Sequence, residues 1–90
     1  MAETEPPLPM PAEKWQEIAA RLKFSPTQQD VVEHILRNRC NKQIEHDLDL
    51  RHGTLRTHLD RIFRKAQVED RQELVILLCA MSHGICRPQG

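Results

Sequence analysis

The chain is short of the residues that build sheets and staple small domains. Its 90 residues include three glycines, two phenylalanines, one tryptophan and no tyrosine. No run alternates β-branched with polar residues, and so few glycines supply few hairpin turns, which excludes a sandwich or barrel. With little aromatic volume the core must come from aliphatic side chains, and this length allows one small domain. An all-α bundle is therefore expected. Cys40, Cys79 and Cys86 are odd in number and irregular in spacing, so they form no disulfide framework and fit a reducing compartment. No stretch approaches 18 apolar residues, and MAETEPPLPM begins acidic rather than as a cationic leader with an apolar centre. These absences predict a cytoplasmic, soluble protein. Net charge is missing too: thirteen basic and thirteen acidic groups cancel, so bulk charge alone would not hold nucleic acid.

What is present is unevenly spread. Residues 1–24 carry three basic and four acidic groups, residues 25–68 eight and six, and residues 69–90 two and three. Positive charge gathers in the middle, where Arg51, Arg56, Arg61, Arg64 and Lys65 face only Asp60 between residues 51 and 65. The first ten residues hold Pro6, Pro7 and Pro9 beside Glu3 and Glu5, too little apolar surface to offset chain entropy, and predict a flexible tail. Pro11 suits the first position of a helix. Trp15, Ile18, Ala19 and Leu22 then recur at helical spacing, giving an N-terminal amphipathic helix within residues 11–24.

Residues 25–84 read as one helical unit. Ser25, Pro26 and Gln28 make a capping box with proline in the first turn, opening a helix to about Arg37 that buries Val31, Val32, Ile35 and Leu36. Asn38 can adopt the left-handed conformation that ends it. Asn41 to Asp47 forms a short helix around Ile44 and Leu48, and Asp49 accommodates the turn that follows. In the next helix, about 53–67, Leu55, Leu59, Ile62, Phe63 and Ala66 fall within an arc of roughly 100°. Arg56, Thr57, Asp60, Arg61 and Arg64 take the opposite arc. Asp70 and Glu73 suggest a second capping box, opening a last helix that Gly84 stops at about His83 and leaving residues 85–90 as a C-terminal tail.

From Ser25 to about Met81 this order resembles the LuxR/GerE-type helix-turn-helix domain, a four-helix DNA-binding module of bacterial transcription regulators. The resemblance is carried by Ser25-Pro26, by Asn41-Lys42 followed by Ile44, by Leu48-Asp49-Leu50, by the run from Gly53 to His58, by Ile62-Phe63-Arg64-Lys65, and by Val68 with Arg71, Glu73 and Leu74. It implies a stand-alone regulator that binds double-stranded DNA, with residues 53–67 as recognition helix in the major groove. Arg56, Thr57, Asp60 and Arg61 would face base edges; Asn41, Lys42, Thr54, His58, Arg64 and Lys65 would touch phosphates. It also implies a homodimer through the last helix, where Val75, Ile76, Cys79 and Ala80 form a second apolar face. The alternative cover for that face is the Trp15 helix of the same chain.

Four residues depart from the family pattern. Cys40 and Arg51 stand where capping serines are usual, a cost of about 1 kcal/mol at each helix start. Glu45 replaces a small alanine between the two helices, so it must lean outward or pair with Arg56 or His58. Asp60 stands where basic or polar residues are common, and pairing with Arg56 and Arg64 one turn away is its expected role. These acids and the null net charge favour a rival reading, a protein-interaction module that keeps the fold and pairs with another regulator. No chemistry is expected. Cys40 near His34 or His46 lacks an orienting third group, and Cys79, His83 and Cys86 are three soft ligands without a fourth, so neither an enzyme, a metal nor a cofactor is anticipated.

Overall fold

A computed structural model of the chain describes residues 8–83. They form five helices: α1 (Ala12–Leu22), α2 (Pro26–Leu36), α3 (Asn41–Leu48), α4 (His52–Ala66) and α5 (Arg71–Ser82). Among the described residues there is no strand, so the all-α expectation stands. Gly84, Cys86 and the expected C-terminal tail lie outside the described residues.

The starts of the helices follow local chemistry. Ser25 Oγ accepts from Gln28 N, and Gln28 Oε1 accepts from Ser25 N, completing the capping box with Pro26 in the first turn. At α5, Asp70 Oδ1 accepts from Glu73 N, but the Glu73 carboxylate takes the amide of Glu69 rather than that of Asp70. Pro11 sits one position outside α1, as its N-cap. At α3 the amide of Cys40 donates to Gln43 Oε1 at 3.0 Å, so one half of the box survives without a serine.

Four helix ends share one solution. Lys23, Asn38, Asp49 and Gln67 have φ of 61°, 63°, 54° and 58°. In each case the following amide reaches back five residues, as Phe24 N does to Ala19 O at 3.0 Å and Val68 N to Phe63 O at 3.0 Å. This is the Schellman closure that glycine usually serves. The scarcity of glycine thus means that four side chains bear a left-handed backbone, which disfavours any residue with a Cβ. Lys23→Gly is expected to raise stability by about 0.5–1 kcal/mol, the relief outweighing the added freedom of the unfolded chain. Thermal unfolding reads this as a midpoint several degrees higher.

The core runs through all five helices. Trp15, Val31, Val32, Ile44, Leu55, Ile62, Leu74 and Leu78 are fully buried, and α4 packs chiefly on α2 while α1 packs chiefly on α5. Trp15 also donates its Nε1 proton to Glu33 Oε2 at 2.8 Å, tying α1 to α2. Met10 is buried and Leu8 packs against the core, so packing reaches into the segment expected as tail. Of the two covers weighed for α5, α1 of the same chain lies along one flank, with Ile18 and Ala19 buried, and Ile76 remains 61% exposed.

Candidate nucleic-acid interface

Two helices and the turn between them build the face. At the end of α3, Asp49 turns the chain and Leu50 N bonds to Glu45 O at 2.9 Å. Leu50 packs against the core while Leu55, one turn into α4, is fully buried beneath it. α4 is thereby pinned along the Leu55, Ile62 and Ala66 stripe, with Leu59 and Phe63 half-buried at its edge. Arg56, Thr57, Asp60, Arg61 and Arg64 are all exposed on its other side. An open cleft of about 200 Å³ runs beside α4, lined by Asn41, His52, Leu55, Arg56, Leu59, Asp60 and Phe63.

The exposed arginines differ from those on α2 and beyond. Arg37 lies 3.6 Å from Glu33 and Arg39 3.0 Å from Asp47. Among the described residues no acid lies within ion-pairing distance of Arg56, Arg61 or Arg64. The expected pairing of Asp60 with Arg56 and Arg64 is corrected by the same absence. Residues one turn apart on an exposed helix gain only about 0.2–0.5 kcal/mol by pairing, too little to hold long side chains together against solvation.

Other expected contacts are redistributed. Lys42 and Thr54 are exposed at the starts of α3 and α4, as a phosphate contact requires, and Thr57 donates its hydroxyl to Gly53 O at 3.1 Å. Lys65 turns away from that face: its Nζ donates to Lys23 O at 2.6 Å and to Gln28 Oε1 at 2.7 Å, anchoring the end of α4 to the α1–α2 junction. His58 is half-buried, and its Nδ1 is buried with no hydrogen-bond partner among the described residues. Glu45 pairs neither with Arg56 nor with His58. It reaches His52 Nδ1 at 2.9 Å instead, across the turn that joins α3 to α4.

Arg71 has a role that pattern reasoning left unassigned. From the start of α5 its guanidinium donates to Asn41 Oδ1 at 3.2 Å and to the carbonyl of Arg39, fixing the opening of α3. Burial pushes this guanidinium below its ordinary range, against a smaller opposing influence of Cys40. A cation at a helix start opposes the dipole, and that misfit was the available signal that Arg71 is held by a contact. Its hold on the Asn41 oxygen leaves the amide nitrogen of Asn41 as the end able to donate outward.

The family model of the bacterial regulatory proteins, luxR family, matches residues 22–78. Comparison with curated proteins gave no match, and comparison with solved structures gave none either. The match takes in α2, α3 and α4 whole and most of α5, leaves all of α1 but Leu22 outside, and covers the resemblance from Ser25 to within a few residues of its end at about Met81. On that match, the chain belongs to the luxR family of bacterial regulatory proteins, whose helix-turn-helix domain is a DNA-binding one.

Proposed function

We propose that the chain binds duplex DNA sequence-specifically with α4 in the major groove, and that this binding regulates transcription. One observation carries the reading: three guanidinium groups stand in a row on the exposed side of a core-anchored helix, without acid partners among the described residues. Arginine forks match guanine edges and phosphates alike. Arg56, Thr57, Asp60 and Arg61 take base edges in this account. Asn41, Lys42, Thr54, His58 and Arg64 take the backbone, while Lys65 holds the frame.

Lys42, Arg56, Arg61 and Arg64 supply about four cationic contacts, so log affinity is expected to fall with log salt at a slope near −3 to −4. Anisotropy titrations at two or more salt concentrations measure it, and a flat response would remove DNA as the partner. Lys42→Ala should weaken binding to all duplexes alike, because a phosphate contact carries no base information. A loss confined to certain sequences would mean that Lys42 reads a base.

The exposed Ile76 favours one further element, a homodimer through the outer face of α5, where Val75, Cys79 and Ala80 are half-buried around it. Ile76→Glu is then expected to give a folded monomer with weaker operator binding. Sedimentation equilibrium tests this: a wild-type chain that is already monomeric at high micromolar concentration excludes the dimer.

A further inference from the structure

The turn between α3 and α4 carries a contact that the proposed DNA contacts do not use. Glu45 Oε2 lies 2.9 Å from Nδ1 of His52, the first residue of α4. The carboxylate side chain is 22% exposed and the imidazole 75%, so the ring sits between a partly buried charge and solvent. This is the opening of α4, where Arg51 offers no side-chain cap and the first backbone bond into the helix is Leu55 N to Arg51 O. Free amides and the aligned dipole favour an anion at such a start, yet a carboxylate is already stationed there.

The charge of the pair depends on one proton. With a neutral imidazole, one N–H donates to Glu45 and the pair carries a full negative charge beside the path of a phosphate. With imidazolium the pair is neutral, and the second N–H is free to donate to a phosphate oxygen. Other charged groups stand near this ring: on α3 and its end, His46 lies against Asp47, and Asp49 follows. Arg51 precedes His52, and Arg56 and Asp60 line the same cleft from α4. From α5, the Arg71 guanidinium is taken up by Asn41, which lines the same cleft, and by the carbonyl of Arg39, and no lining residue comes from α2. Histidine is the side chain that ordinarily changes charge between pH 5 and 8.

We propose that Glu45 and His52 form a proton-dependent gate on the DNA-facing side, positioning residues that make duplex affinity rise as pH falls. The gate rests on the DNA-binding reading above. DNA binding then takes up a proton at His52, which by linkage strengthens affinity at most tenfold for each pH unit over the titrating range.

The test is duplex affinity at fixed ionic strength at about pH 6 and about pH 8, the first inside the histidine range and the second at its upper end, with circular dichroism at both to verify folding. Wild type is expected to bind about tenfold tighter at the lower pH. His52→Gln keeps a donor for Glu45 without a titrating charge, so it should lose the pH dependence and bind like wild type at the higher pH. Glu45→Gln removes the standing negative charge and should bind more tightly than wild type at the higher pH. A His52→Gln protein that retains the full pH dependence overturns the gate, as does a His58→Gln protein that abolishes it. If wild type binds equally well at both pH values, only the gate falls; if it binds duplex at neither, the DNA reading falls and the gate with it.

Discussion

Trp15→Ala will lower stability by about 3–5 kcal/mol, the cost of truncating a large buried aromatic. Domains of this kind have only about 5–15 kcal/mol in total, so the loss is a large fraction of what holds the chain together. The indole is 1% exposed, its ring centroid lies 6.2 Å from that of Phe24, and its N–H serves Glu33 at 2.8 Å. Alanine leaves a cavity where α1, α2 and the α1–α2 turn meet. It also takes a neutral N–H donor from Glu33, a partly buried carboxylate that pairs with Arg37 at 3.6 Å. A melting midpoint lower by well over ten degrees is expected at about 4–8 °C for each kcal/mol. The interest lies in what α1 is, since the family match begins at residue 22. If α1 were an appendage on a self-sufficient four-helix unit, the midpoint would move by only a few degrees.

Such an integral role was half legible in the sequence. Trp15, Ile18, Ala19 and Leu22 announced a helix with one apolar side, and local chemistry marked the start and end of α2, the end of α3 and the start of α5. Ser25, Asn38, Asp49 and Asp70 act within a few residues of themselves, which is why pattern alone found them. The outward face of α4 was readable for a related reason, because a helix with a buried stripe must turn the opposite arc to solvent. What pattern could not give was the partner of each long side chain. Lys65 looks like any cation of an exposed helix end until packing brings Lys23 O and Gln28 Oε1 to it, across separations of 42 and 37 residues. Glu45 was expected to lean outward or to pair with Arg56 or His58, and the turn between α3 and α4 brought His52 to it instead. Arg71 shows the same limit, being a first-turn cation whose purpose lies 30 residues away at Asn41.

Arg56→Ala, Arg61→Ala and Arg64→Ala combined in one chain should weaken operator binding by at least a hundredfold. Each good fork-to-base pair is worth about 1–3 kcal/mol of discrimination, and a phosphate contact adds its share of released counterions. At about 2 kcal/mol for each of Arg56 and Arg61, the middle of that range, the sum already exceeds the 2.8 kcal/mol that corresponds to roughly a hundredfold, before the phosphate contact of Arg64 is counted. Stability should change little, because all three side chains are exposed and no acid among the described residues pairs with them. The variant therefore separates binding from folding, and it also separates two ways of using this fold. A protein-interaction module that has lost DNA would keep partner binding through α5 and show no salt-dependent duplex affinity to lose. A DNA reader would drop about three units of salt slope, near 0.9 for each cation removed. Asp60 sharpens the comparison. Standing unpaired among these arginines, its carboxylate can accept from a cytosine amino group, so Asp60→Ala should erase a preference at one base position. If it instead tightens binding to every duplex alike, Asp60 is only a repelling charge and base reading falls to Arg56, Thr57 and Arg61.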